Sequence, residues 1–105
     1  MHNPILAKFR TALNEMYGAR LERVVLFGSH ARGDARPDSD YDVAGFFNGS
    51  EKTFDRWAEL HDSAALRVKF LDETGAFFDA KPYPATEYRE RSPLMHEIRG
   101  EGLDL

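Results

Sequence analysis

The sequence predicts an α+β domain in which a small mixed sheet is flanked by helices. Two apolar stretches typical of buried strands, Leu21–Phe27 and Tyr41–Phe47, have segments with helical periodicity on both sides. Strands that alternate with helices in this way are typical of α/β and α+β domains. A chain of 105 residues is close to the most common domain size. We therefore expect residues 1–105 to form a single domain.

The first predicted element is a helix over residues 4–17. Asn3 is a suitable N-cap, and Pro4 suits the first helical position because the N–H that proline lacks has no partner there. Gly18 can end the helix in a left-handed conformation. Apolar residues recur with helical spacing between these ends, at Ile5, Phe9, Ala12, Leu13 and Met16.

The connector between the two strands contains the residues of greatest chemical interest. Gly28 and Ser29 interrupt the first strand, residues 30–32 are compatible with one helical turn, and residues 33–39 have loop composition. The second strand then opens with Asp40 and Asp42. Because side chains alternate along a strand, both carboxylates are expected on one face. Adjacent carboxylates repel each other unless a cation lies between them, which predicts a metal site.

Four further elements and an extended tail are predicted in the second half of the chain. The spacing of Phe54, Trp57, Ala58 and His61 predicts a helix over residues 51–61. Apolar residues that alternate with Arg67 and Lys69 predict a third strand at residues 66–70. A short helix over residues 74–80 is expected to stop at Lys81-Pro82-Tyr83-Pro84, and Ser92-Pro93 to begin a helix through Arg99, with residues 100–105 extended.

Composition narrows the classes of function. The chain has no cysteine, which excludes disulfides and thiolate sites, and its four histidines lack the spacing of zinc ligands. A formal net charge of -4 argues against direct nucleic-acid binding, because domains of that kind are usually basic. No apolar run is long enough for a membrane span, and no signal peptide is evident, so we expect a cytoplasmic protein without a membrane partner.

The Gly-Ser and Asp-x-Asp elements together predict a phosphate-handling site. Gly28 permits close approach of the backbone to a phosphate, Ser29 adds a hydroxyl donor, and Arg32 can reach a phosphate oxygen. Carboxylates such as Asp40 and Asp42 are the ligands that Mg²⁺ prefers. His30 is either part of this site or an exposed loop residue.

The segment GSHARGDARPDSDYD, residues 28–42, resembles the signature of the DNA polymerase β-type nucleotidyltransferases. Ten residues separate Ser29 from Asp40, and the Ala31-Arg32-Gly33 detail is similar to the small minimal nucleotidyltransferases. The resemblance implies a mixed sheet with helices, Mg²⁺ held by Asp40 and Asp42, and transfer of a nucleoside monophosphate, usually AMP from ATP. It also implies a partner, because many relatives are antitoxins of a small helical HEPN-type toxin, and some add AMP to a tyrosine hydroxyl of that toxin.

One position departs from the family pattern. Relatives usually carry a third carboxylate on the next strand, and Lys69 occupies that position if residues 66–70 form the strand. Three interpretations follow: Asp72 or Glu73 is the third ligand, Lys69 contacts the triphosphate while two aspartates suffice, or the site is degenerate.

The sequence leaves several hypotheses for function. The chain is a Mg²⁺-dependent nucleotidyltransferase in which Gly28, Ser29 and Arg32 hold the triphosphate, or it is a non-catalytic module of the same fold that masks a partner by contact. An aminoglycoside-type resistance enzyme is less favoured, because such enzymes normally need a further substrate domain.

Overall fold

The structure is a computed structural model that describes residues 3–49 and 52–105. In these ranges the chain forms α1 (Pro4–Tyr17), β1 (Leu21–Phe27), α2 (Ser29–Arg32), β2 (Tyr41–Phe47), α3 (Arg56–Thr74), β3 (Phe78–Pro84), α4 (Pro93–Glu101) and β4 (Leu103–Asp104). Short 3₁₀ helices at Gly18–Arg20 and Ala85–Arg89 precede β1 and follow β3.

The four strands form one mixed sheet in the order β3-β2-β1-β4. β1 is antiparallel to both β2 and β4, whereas β2 and β3 are parallel. Parallel neighbours need a long connection, and α3 supplies it. The predicted α+β class with a small mixed sheet is confirmed.

Helices cover both faces of the sheet. On one face, Phe9 of α1 and Phe70 of α3 pack in the cluster that contains Val24 and Val43. On the other face, α4 contributes Met95 and Ile98 to a second cluster, together with Val25, Phe27, Ala44 and Phe46. β1 is therefore buried on both sides over residues 24–27 and β2 over residues 43–44 and 46–47, which explains the apolar sequences there.

Four of the predicted elements are confirmed. α1, β1 and β2 have the predicted bounds, and α4 begins at the predicted proline and ends at Glu101. Asn3 Oδ1 accepts a hydrogen bond from the Ile5 N–H at 2.9 Å, and Ser92 Oγ accepts one from the Met95 N–H at 3.1 Å. Both side chains are the expected N-caps.

The predicted third strand at residues 66–70 is wrong, because these residues belong to α3. The helix begins after Asp55, whose side chain accepts a hydrogen bond from the Ala58 N–H at 3.2 Å, and it continues to Thr74. Residue 51, where a helix was predicted to begin, lies outside the described ranges. The buried residues Glu59, Ser63 and Phe70 follow helical spacing, but two of them are polar, so the apolar pattern did not show the helix.

The predicted helix over residues 74–80 is also wrong, because Gly75 ends α3 and Phe78 begins β3. Pro82 and Pro84 suggested a break in structure, yet both lie within β3. An edge strand tolerates proline because one side of it needs no backbone donor. In the tail, Gly100 and Glu101 extend α4, and Leu103–Asp104 form the edge strand β4. None of the described helices is both long enough and apolar enough to cross a membrane.

Candidate active site

Two aspartates meet where the parallel strands β2 and β3 begin. Asp42 and Asp79 are direct register partners, so their side chains project from the same face of the sheet. Asp79 is the residue that the sequence reasoning missed, because its strand was predicted to be a helix. We refer to Asp40, Asp42 and Asp79 as the carboxylate cluster.

Gly28 makes room for the Asp42 carboxylate. It follows β1 directly and has φ of 75° and ψ of -156°, a conformation that is essentially restricted to glycine. A Cβ atom at this position would lie 2.3 Å from Asp42 Oδ2. The Gly-Ser turn and the second aspartate of the Asp-x-Asp pair are therefore in contact, and Ser29 begins α2 beside them.

Asp40 precedes β2 and is exposed at the end of the loop over residues 33–40. His30 orders this loop. Its Nε2 lies 2.9 Å from the Ser39 carbonyl oxygen, so this nitrogen carries the hydrogen, and its ring stacks on Tyr41 with centroids 3.9 Å apart. His30 therefore contacts Ser39 and Tyr41, the residues directly before and after Asp40.

Partial burial and the neighbouring charges both act on the Asp42 carboxylate. Partial burial raises the pKa of Asp42 above its ordinary value, and Lys81 opposes this shift. The negative charges of Asp79 and Asp40, and that of Glu97 on α4, raise the pKa of Asp42 further. A bound cation would relieve this repulsion.

Lys81 supplies an ammonium group next to the cluster. It lies two residues after Asp79 on β3, and its Nζ is 3.6 Å from Asp79 Oδ2. The same atom lies 5.4 Å from the centre of the Phe27 ring on β1. The sequence predicted an ammonium group at this site, but it assigned the group to Lys69.

Lys69 lies on α3 instead of on a strand of the sheet. Its side chain is exposed and lines a surface groove between α1 and α3, together with Lys8 and Glu73. Asp72 is also an exposed residue of α3. The inference that Lys69 replaces a third carboxylate loses its basis, because it depended on a strand at residues 66–70.

Arg32 lies at the end of α2 and is bound to carboxylates. Its guanidinium contacts Asp34 and Glu97 at 3.3 Å and Glu101 at 3.5 Å. The hydrogen bond and charge of Asp34 raise the pKa of Arg32. To bind a phosphate, Arg32 would have to exchange these carboxylates for phosphate oxygens.

An open polar recess of about 180 Å³ adjoins Asp40. It lies between the loop that precedes β2 and the turn that precedes β3, and Asp38, Ser39 and Thr74 contribute to its lining. Asp40 is the member of the carboxylate cluster that lines this recess.

The donor set fits a hard divalent cation such as Mg²⁺, which prefers carboxylate oxygens. The Asp42 carboxylate lies in the space that the missing side chain of Gly28 leaves, and two further carboxylates raise its pKa. Within residues 3–49 and 52–105, no three acidic or histidine side chains already converge in a metal-binding arrangement. The ligands would therefore have to adjust when a cation binds.

Comparison with solved structures shows the same fold in chains of toxin–antitoxin complexes. One chain, from a complex crystallised with AMP-PNP, is 19% identical and has a TM-score of 0.57, with 92% of this chain and 69% of that chain covered. Another comes from a tri-AMPylated HEPN toxin of Shewanella oneidensis in complex with its MNT antitoxin. It is 16% identical, with a TM-score of 0.52, and the match covers 95% of this chain and 70% of that chain.

Comparison of sequences gives the family. A protein of Methanocaldococcus jannaschii, named as a candidate protein adenylyltransferase, is 42% identical over 38 residues. This match spans 36% of the present chain and 38% of that protein. The sequence model of the nucleotidyltransferase domain matches residues 6–92, which include the Gly-Ser turn and all three aspartates of the carboxylate cluster. The chain therefore belongs to the nucleotidyltransferase domain family.

Proposed function

We propose that this chain is a Mg²⁺-dependent nucleotidyltransferase that transfers AMP from ATP to a hydroxyl group of a protein. The observation that carries the proposal is the register of Asp42 and Asp79, which brings a third carboxylate beside the Asp-x-Asp pair. The names of the relatives support the choice of AMP and of a protein acceptor.

Each part of the site has a role in this reaction. Asp40, Asp42 and Asp79 would hold Mg²⁺, which would neutralise charge on the triphosphate. The turn at Gly28 and Ser29 offers backbone N–H groups and a hydroxyl to the phosphates, and Arg32 adds positive charge. The acceptor oxygen forms a bond to the α-phosphorus, the bond from that phosphorus to the bridging oxygen breaks, pyrophosphate leaves and the hydroxyl proton is released.

We further propose that the acceptor is a small helical toxin of the HEPN type, for which this chain is the antitoxin. Two of the structurally similar chains come from toxin–antitoxin complexes, and in one of these the toxin is AMPylated. Such a toxin would present its hydroxyl group beside the exposed Asp40.

Transfer of label from ATP tests the proposal. Purified chain, Mg²⁺ and ATP labelled at the α-phosphate are incubated with a purified small helical toxin of the HEPN type. We expect the label to enter that protein with the wild-type chain and with Asp62→Ala, an exposed control on α3. We expect no label with Asp40→Ala. Equal labelling by Asp40→Ala would refute the assignment.

A second candidate function is a non-catalytic module that neutralises a partner by contact. The ammonium group of Lys81, which is already paired with Asp79, favours this alternative because it occupies part of the cluster. Neutralisation of the partner that survives the double substitution Asp40→Ala and Asp42→Ala would support contact alone. Loss of neutralisation together with loss of labelling would support the enzyme.

A further inference from the structure

We propose that Lys81 is an intrinsic counter-ion of the carboxylate cluster, which holds Asp79 until a divalent cation displaces it and so weakens cation binding in the absence of nucleotide. The inference rests on the proposed function, because it takes the cluster as the cation site. It assigns Lys81 the role of setting how tightly that site binds its metal.

The ammonium group of Lys81 is placed to pair with Asp79. Asp79 and Lys81 are two residues apart on β3, so both side chains leave the strand on the face that carries Asp42. The Nζ atom is 3.6 Å from Asp79 Oδ2, within the distance of an ion pair. Both side chains are about half exposed, at 42% and 45%, so the ammonium group can leave without breaking the core.

The Lys81 side chain extends from β3 towards β1. Phe27 lies on β1, and β2 separates β1 from β3. Adjacent strands are about 4.8 Å apart, so a distance of 5.4 Å from Nζ to the Phe27 ring requires the lysine to lean across β2. On β2, the register partner of Lys81 is Ala44, whose side chain is small, and the register partner of Phe27 is Asp42. The ring face of Phe27 stabilises the cation there.

Lys81 lowers the net negative charge of the cluster. Three carboxylates and one ammonium group leave a net charge of about -2, which attracts a divalent cation but less strongly than the carboxylates alone. Of the charges that act on Asp42, that of Lys81 is the strongest, and it favours the ionised form of the carboxylate. Lys81 therefore stabilises the metal-free site and competes with the metal that would replace it.

Titration with Mn²⁺ in the absence of nucleotide tests the inference. Free Mn²⁺ is followed by electron paramagnetic resonance for the wild type, Lys81→Met, Lys81→Arg and Lys69→Met. We expect Lys81→Met to bind Mn²⁺ about fivefold more tightly, the effect of removing one partly exposed ion pair. Lys81→Arg keeps the charge, and Lys69→Met removes an exposed lysine of α3, so both should bind like the wild type. Unchanged or weaker binding by Lys81→Met would overturn the inference.

Thermal unfolding gives a second measurement on the same proteins. Without metal, Lys81→Met should melt at a lower temperature than the wild type, because the carboxylates lose their counter-ion. Saturating Mn²⁺ should raise its melting temperature by more than that of the wild type. An equal rise in both proteins would contradict the inference.

The same titration separates this inference from the proposed function. Suppose that the wild type binds Mn²⁺, that Asp42→Asn weakens this binding and that Lys81→Met leaves it unchanged. Only the role of Lys81 is then refuted. If wild type and Asp42→Asn titrate alike, the cluster is not the cation site, and both proposals fail.

Discussion

Asp42 and Asp79 face each other directly across the parallel strands β2 and β3, with the turn at Gly28 pressed against the Asp42 carboxylate. The three residues lie on β2, on β3 and in the turn after β1, and the sheet brings them together. This relationship makes the stability of the metal-free protein depend on the charge of the site.

Asp42→Asn should stabilise the metal-free protein at neutral pH. The pKa of Asp42 is raised in the folded state, so its ionised form opposes folding at a pH above the folded-state pKa. This cost disappears as the pH falls below the ordinary aspartate range, because Asp42 is then protonated in both states. Melting temperatures of the two proteins from pH 3 to pH 8 check this. A difference in melting temperature in favour of Asp42→Asn that grows as the pH falls would contradict this expectation.

Gly28→Ala should destabilise the fold and displace the Asp42 carboxylate. The backbone conformation at Gly28 alone costs about 1–3 kcal/mol for a residue with a side chain, and the new methyl group would also meet Oδ2 of Asp42. Urea unfolding measures the loss of stability. Gly100→Ala is the control, because a Cβ atom there meets no neighbouring atom within 4 Å. Equal stability of Gly28→Ala and wild type would refute the packing described.

His30→Ala should loosen the loop that carries Asp40. The substitution removes the stack on Tyr41 and the hydrogen bond to Ser39, which together contribute about 1–3 kcal/mol. Misplacement of Asp40 should lower AMP transfer by up to about 100-fold. His61→Ala, an exposed site on α3, should change neither quantity. Full activity of His30→Ala would show that the loop does not need this support.

Glu97→Gln should raise the affinity for ATP a few-fold. The substitution frees Arg32 from one of its carboxylate partners and removes a negative charge that acts on Asp42. Because the Arg32 pair is exposed, the free energy of unfolding should stay close to that of the wild type. Calorimetric titration with Mg²⁺-ATP measures the affinity, with Glu22→Gln on β1 as the control. Weaker binding by Glu97→Gln would place Arg32 outside the triphosphate site.

The first half of the chain could be predicted from the sequence because local signals agree with the tertiary structure there. Asn3, Gly18 and the apolar periodicity between them define α1, and continuous apolar residues define β1 and β2. The Asp40 and Asp42 pair could be found for the same reason, since it directly precedes and opens a clear strand.

The second half could not be predicted because tertiary contacts decide it. Val68 lies between Leu66 and Phe70 in a pattern that suggests a strand, but it is exposed on a helix whose buried face includes Glu59 and Ser63. β3 contains two prolines that only its position at the sheet edge permits. Asp79 was missed with it, and so was the role of Lys81 beside the cluster.

We propose that Asp79 completes the site with Asp40 and Asp42. Calorimetric titration of Mg²⁺-ATP into the wild type, Asp79→Asn and Asp72→Asn tests it most directly, since Asp72 is an exposed aspartate of α3. We expect saturable, Mg²⁺-dependent binding by the wild type and Asp72→Asn, and at least about tenfold weaker binding by Asp79→Asn. Wild-type affinity in Asp79→Asn, or loss of binding in Asp72→Asn, would contradict the claim.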